Sequence, residues 1–224
     1  MSRVKEIKEK LHSPLYDAFF VKDEEKPGTT GDKKTFTDFM TDPRVIRFFV
    51  DVQGKTKLET NLQASGVLPS LNTFEARALR VVVSGLHRFN PSVAGAAGTS
   101  KAVAVAAERN EGELLADLIY NSVTTLIVGE KIMIEMPTFW FPSGAGVSPG
   151  LSVPSNGDPD PTATFRFAEP VFIEPQQNFR VEIAFPQGVP GQQVAPPDPH
   201  KLAGTPGPFR IWAVLDGYLT RDVQ

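Results

Sequence analysis

Residues 208–219 form a stretch that is apolar at both odd and even positions. In an extended strand the odd-numbered apolar residues, such as Phe209 and Leu215, point to one side, whereas Trp212 and Val214 point to the other. A strand of a simple two-layer sandwich needs only one apolar face, because its other face meets water. The pattern therefore predicts a strand whose second face is covered by another layer or by another subunit.

Alternating apolar and polar positions predict seven further strands. They are residues 44–52, 58–63, 73–84, 123–128, 131–141, 164–174 and 178–185. In the first of them, Val50 and Val52 are expected to point inward. Residues 129–130 are expected to form a tight turn, and the strands on either side of residues 175–177 are expected to pair. A total of eight strands favours two four-stranded sheets.

Two segments have the spacing of helices. Residues 2–12 place Val4, Ile7 and Leu11 on one side of a helix among four basic residues. This amphipathic arm is expected to dock through its apolar residues, although its bases also suit phosphates, lipid headgroups or a neighbouring subunit. Residues 108–120 predict a short helix inserted between strands, because their leucines cluster on one face.

These elements divide the chain into three parts. We predict an N-terminal amphipathic arm at residues 1–13, an extended linker region at residues 14–43 and a β-sandwich domain at residues 44–224. Two stretches dense in proline and glycine, residues 143–162 and 186–208, predict long loops within that domain.

The composition suits an all-β domain and selects no ligand. The chain has 224 residues, of which 41% are hydrophobic and 16 are Phe, enough to fill a sandwich interior, while 20 Pro and 18 Gly indicate many turns. A formal net charge of -3 argues against a protein that mainly coats nucleic acid. The absence of cysteine excludes disulfides and thiolate chemistry. Because there is neither a signal-peptide core nor an apolar run of ~20 residues, we expect a soluble protein made in the cytoplasm.

The residues that usually carry catalysis are scattered. His12, His87 and His200 lie far apart in the sequence, without the spacing of a metal site. The glycine-rich residues 143–150 lack the Gly-Lys-Ser/Thr end of a phosphate-binding loop. Asp and Glu residues do not form an EF-hand pattern. We therefore predict no enzyme activity, no catalytic residue, no cofactor and no metal.

Three segments carry a resemblance to a known family. Residues 59–69, 172–179 and 214–221 are similar to patterns in capsid proteins of tailless icosahedral bacterial viruses. The resemblance implies a jelly-roll capsid protein whose barrels stand upright in a shell that often encloses a membrane. The family has a double jelly-roll form, but eight strands fill one barrel, so a single eight-stranded jelly-roll β-sandwich with long loops is expected here.

A shell subunit buries broad side surfaces against its neighbours. The assembly interface is accordingly predicted at Trp140, Phe141, Trp212, Val214 and Tyr218, whose large apolar side chains suit subunit contacts. The expected partners are further copies of the chain and other capsid proteins, such as a vertex protein. The expected location is the virion, assembled in the host cytoplasm.

The basic arm is expected to face the particle interior, against an internal membrane or the genome. Its cationic residues are Arg3, Lys5, Lys8 and Lys10.

Two other functions remain open at this stage. A carbohydrate- or receptor-binding β-sandwich, such as a viral spike or lectin-like module, would use the aromatic residues near Trp140, since aromatic rings stack on sugars. An enzyme would need the carboxylates of Glu135, Glu169 or Glu174 to converge in a pocket.

Overall fold

The protein is a β-sandwich in the computed structural model, which describes residues 8–31, 34–42, 44–85, 118–142, 162–186 and 208–222. The described strands are β1 (Lys8–His12), β2 (Leu15–Val21), β3 (Val45–Phe48), β4 (Thr73–Gly85), β5 (Val123–Val128), β6 (Lys131–Pro137), β7 (Arg166–Ile173), β8 (Phe179–Ala184) and β9 (Phe209–Asp222). A short helix α1 spans Phe36–Phe39, and a 3-10 turn spans Thr138–Trp140. The prediction of an all-β sandwich is confirmed.

Two antiparallel sheets form the layers. In the first sheet the order is β1 and β2, then β9, β4 and β7, with β1 and β2 following one another along the same edge of β9. In the second sheet the order is β3, β8, β5 and β6. The sequence-adjacent strands β7 and β8 therefore lie in different sheets, and the prediction that they pair is wrong. The hairpin at residues 129–130 is confirmed, with Gly129 at a φ of 61°.

The alternation of β9 places its odd residues in the core. Phe209, Ile211, Ala213 and Leu215 are all buried, whereas the even residues between them are half-buried on the outer side. The core between the sheets is rich in phenylalanine. Its fully buried rings are those of Phe36, Phe48, Phe49, Phe74, Phe141, Phe179 and Phe185. Each such burial stabilises the folded chain by about 1.5–3 kcal/mol.

The N-terminal segment is a strand where residues 8–12 were expected to be helical. β1 pairs with the end of β9, with Lys8 opposite Asp222 and His12 opposite Tyr218. Its burial alternates, because Glu9 and Leu11 are half-buried while the other residues are exposed. The edge of β9 offers backbone partners to this segment, and such tertiary pairing overrides a helical propensity. Residues 1–7 lie outside the described part.

Further departures from the predicted elements occur around the first long strand. Phe49 has a φ of 69°, which ends β3 and turns Val50 outward, so the inward position predicted for Val50 is wrong. Residues 58–63 form no strand and make only a single bridge, between Thr60 and Asp17. β2 lies in the range expected to be a linker and pairs with β9 over its whole length. Of the predicted helix at residues 108–120, only residues 118–120 are described, and they are helical.

A buried carboxylate ties β2 to the segment that follows β3. Asp17 points inward and is 0% exposed. Its oxygens accept hydrogen bonds from Lys55 Nζ at 2.9 and 3.0 Å and from the backbone N–H of Phe49 at 2.7 Å. Burial raises the pKa of Asp17, although Lys55, Phe49 and Thr60 favour its charged form. The hydrogen bond from Phe49 thus connects Asp17 to a residue in the left-handed conformation.

Candidate assembly surface

The outer face of the first sheet carries three of the five residues predicted for the assembly interface. Trp212, Val214 and Tyr218 are all even-numbered residues of β9 and lie on the side opposite to the core. Trp212 lies between Val82 of β4 and Ala18 of β2 in the register of the sheet. The centre of this outer face is therefore apolar across three neighbouring strands, as the pattern of β9 predicts.

A cleft of about 430 Å³ opens on this face beside Trp212. Its lining consists of Pro14, Tyr16, Lys57, Leu58, Arg80, Val82, Trp212 and Val214. The segment at residues 57–58 forms its rim, because Trp212 Nε1 donates to the carbonyl oxygen of Leu58 at 3.2 Å and the Tyr16 hydroxyl donates to that of Lys57. These two hydrogen bonds connect the rim to β9 and β2. We call this the outer cleft.

Two arginines flank Trp212 along the outer face. The Nε atoms of Arg80 and Arg210 are buried and have no hydrogen-bond partner. Arg80 is 3.6 Å from Asp216 through its Nη2 atom, and the guanidinium of Arg210 lies 4.4 Å from the centre of the Phe20 ring. Buried donors without acceptors cost free energy. The outer cleft is thus an apolar site with an incompletely satisfied cation in its wall.

Tyr218 belongs to a cluster of charges at the other end of β9. Lys10 Nζ and the Arg77 guanidinium lie 4.8 and 5.2 Å from the centre of its ring. Both cations also contact Glu75, with Lys10 Nζ at 2.6 Å from its carboxylate. The hydrogen bond from Lys10, followed by that from Arg77, lowers the pKa of Glu75. Tyr218 is therefore already engaged by cation–π contacts within the chain.

The basic residues predicted to face the particle interior do not share one environment. Lys10 forms an ion pair with Glu75 of the same chain, whereas Lys8 is exposed at the beginning of β1. Arg3 and Lys5 lie outside the described residues.

Some of the aromatic residues after β6 lie on the surface and one lies in the core. Phe141 is 1% exposed and packs edge-on against Phe165 at 5.3 Å, so its assignment to an interface is corrected to a core role. Trp140 is 52% exposed, Phe139 47% and Tyr120 70%. Successive ring centres in this trio are 6.0 Å apart, with planes tilted by 29° and 30°. Trp140 is therefore on the surface, but in an aromatic trio separate from the outer cleft.

The acidic residues considered for catalysis lie apart in the fold. Glu135 is on β6 of the second sheet, Glu169 is on β7 of the first, and Glu174 follows β7. All three are exposed. Within the described ranges, no group of three or more histidine or acidic residues could hold a metal ion. The helices in the same ranges include none that is long and apolar enough to cross a membrane.

Comparison with known proteins found no matching protein-family model, curated protein or solved structure.

Several residues of the outer cleft were not predicted from the sequence. Val82 and Arg80 could have been found, because residues 81–83 are three consecutive valines and a strand with apolar residues on both sides has an outer apolar face. Leu58 and Tyr16 reach the cleft through tertiary contacts, and no local pattern indicates them.

Proposed function

We propose that this protein is a structural subunit of a viral capsid, which self-assembles into an icosahedral shell through lateral contacts of its sandwich. The observation that carries the proposal is the apolar outer face of the first sheet, with Trp212, Val214 and Val82 at its centre. Large apolar surfaces of this kind mark sites of association between proteins. A subunit of a closed shell needs such a face on its side, because each copy packs against several neighbours.

The strand order supports a single jelly roll as the fold of this subunit. β1 and β2 line the same edge of β9 and can be counted as one interrupted strand, which brings the number of described strands to eight. The first then pairs with the eighth, the second with the seventh, the third with the sixth and the fourth with the fifth. This is the pairing of a long hairpin wound into two four-stranded sheets, as in jelly rolls.

The positions of the strand ends also favour an upright subunit. Residues 22–44, 86–122, 138–165 and 185–208 connect strands at one end of the sandwich, whereas the connections at the other end are residues 49–72, 129–130 and 174–178. Most of the connecting chain therefore leaves from one end. We infer an upright orientation, in which the outer face of the first sheet makes lateral contacts between subunits.

The same proposal assigns roles to the ends of the molecule. The exposed Lys8, with Arg3 and Lys5 before it, faces the particle interior and contacts lipid or genome through phosphates, which attract basic side chains. The partners are further copies of this chain and other capsid proteins, such as a vertex protein, and the location is the virion.

The test is the solution mass of the purified chain by light scattering, with negative-stain images of the same fractions across a range of salt concentrations. We expect species well above the 24.4 kDa chain, together with closed rings, sheets or shells. A strictly monomeric protein at high concentration under all these conditions would refute the proposal.

One observation favours a second candidate, a carbohydrate- or receptor-binding module. The exposed rings of Tyr120, Phe139 and Trp140 form a row beside the start of β5 and the end of β6. Rows of aromatic rings stack on the apolar faces of sugars. Glycan-array binding by a stable monomer, lost on Trp140→Ala and kept on Trp212→Ala, would favour this function over assembly.

A further inference from the structure

The outer cleft combines features that specify what can fill it. Its walls of Trp212, Val214 and Val82 accept a large apolar side chain, and a ring would gain from contact with the indole. Arg80 adds a positive charge to the wall, where its side chain is 27% exposed and its Nη2 atom lies 3.6 Å from Asp216. The matching ligand is therefore a large apolar side chain with a carboxylate close beside it.

This chain presents that combination on the same outer face, at the opposite edge of the first sheet. Phe172 on β7 lies opposite Glu75 in the register and is 54% exposed. Glu174 follows two residues later at an exposed position, and its carboxylate forms no ion pair with a described residue. We call Phe172 and Glu174 the β7 tip.

We propose that the β7 tip of one copy of this chain docks into the outer cleft of a second copy, with Phe172 against Trp212 and Glu174 beside Arg80. The β7 tip and the outer cleft lie on the same face of the first sheet. A two-fold axis between the first sheets of two copies therefore brings each tip to the other copy's cleft and makes both contacts at once. The inference rests on the proposed self-assembly and names one contact within it. The contact would give a partner to an exposed phenylalanine and to a partly exposed arginine on the same face.

Other exposed apolar residues fit less well. Ile132 on β6 is 60% exposed, but it lies on the second sheet beside Lys131, whose charge would oppose Arg80. Ile132→Ala is therefore a matched control for Phe172→Ala, because each change removes an exposed apolar side chain from an edge strand.

The decisive experiment is a charge swap measured by sedimentation velocity at low salt. We expect Arg80→Glu protein and Glu174→Arg protein each to self-associate at least about tenfold more weakly than the unmodified chain, since each places like charges together. Mixed in equal amounts, the two proteins should associate at the strength of the unmodified chain, because every tip then meets a cleft of opposite charge. Phe172→Ala should weaken association similarly, and Ile132→Ala should leave it unchanged.

Each result separates this contact from the general proposal. If the unmodified chain does not associate, the proposed function fails together with the inference. If it associates but the mixture is no stronger than its components, or Phe172→Ala is without effect, only the docking of the β7 tip is refuted. Far-UV circular dichroism and thermal melting of each variant ensure that the fold is intact. Should Arg80→Glu unfold the chain, Glu174→Arg at its exposed site and Phe172→Ala still decide the question.

Discussion

The outer faces of the two sheets are built in opposite ways. On the second sheet the outward residues form an ion-pair network, in which Arg47 contacts Asp42 at 3.5 Å and Glu182 at 3.4 Å, while Arg180 contacts Glu182 at 2.7 Å. On the first sheet the corresponding centre is apolar, at Trp212 and its neighbours, and the flanking arginines keep buried donors without acceptors. The second face has ion pairs at its centre, whereas on the first face the ion pairs of Glu75 and Asp216 lie beside an apolar centre.

This difference supports the proposal that the two faces have different neighbours in an assembly. Exposed ion pairs contribute little to stability, with a typical value of 0–1 kcal/mol, but they keep a face soluble and unattractive to apolar partners. An apolar face of comparable position lacks that protection. The asymmetry therefore favours the outer face of the first sheet over that of the second for the proposed lateral contact.

The largest expected effect comes from placing the same charge on each face. Val214→Lys and Val45→Lys each introduce an ammonium beside an arginine, Arg80 on the first sheet and Arg47 on the second. We expect Val214→Lys to weaken assembly by roughly a hundredfold, since an unpaired charge in a buried contact costs about 3 kcal/mol. Val45→Lys should assemble normally in light scattering. Equal loss in both variants would remove the distinction between the faces.

A second test compares an ion pair inside the sandwich with one outside it. Asp17→Ala removes the acceptor of both Lys55 and the Phe49 N–H, and we expect a loss of about 2–3 kcal/mol in the free energy of unfolding by urea. Glu182→Ala on the outer network should cost about 0.5 kcal/mol. If Glu182→Ala were as destabilised as Asp17→Ala, the outer ion pairs would contribute as much to stability as the buried one.

A smaller effect is expected at the rim of the outer cleft. Trp212→Phe removes the N–H that donates to the Leu58 carbonyl oxygen. The free energy of local opening of residues 57–58 should then fall by about 1 kcal/mol. Trypsin cleaves after Lys57, so the initial rate of cleavage there should rise about fivefold. Trp140→Phe, which changes an exposed indole elsewhere, should leave this rate unchanged. An unaltered rate in Trp212→Phe would show that the rim is held by other contacts.

The predictable part of the fold is the part whose pattern is local. The alternation of β9 predicted both the core residues and the outward position of Trp212 and Val214, because a strand alternates its side chains whatever it pairs with. The same rule applied to residues 80–83 would have added Arg80 and Val82, which with Trp212 and Val214 make half of the residues that line the outer cleft. Phe141 was misassigned because a run of three aromatic residues does not show where the 3-10 turn sends each ring.

The missed part depends on distant partners. β2 was not predicted because Asp17 occupies an inward position and interrupts its alternation, and the Lys55 that neutralises it lies 38 residues away. β1 was predicted as a helix because its pairing partner is at the far end of the sequence. Phe49, whose N–H donates to Asp17, adopts a left-handed conformation that its neighbours in the sequence do not indicate. None of these contacts leaves a signal within a short window of sequence.

The smallest expected effect is a pair of opposite pH dependences on the two sides of the first sheet. On the outer side, the pKa of Glu75 lies below 4.5 because Lys10 and Arg77 favour the carboxylate. The stability it contributes is therefore complete above pH 4.5 and is lost as the pH falls through its folded pKa. On the inner side, burial raises the pKa of Asp17 above 3.8, so its contribution is greatest below that pH and declines as the pH rises through its folded pKa. Urea unfolding of Glu75→Gln from pH 3 to 7 should show a shallower loss of stability in acid than the unmodified chain, and Asp17→Asn should show a steeper one. Shifts in the same direction for both variants would mean that the two sides of the sheet do not differ in the way their charges are held.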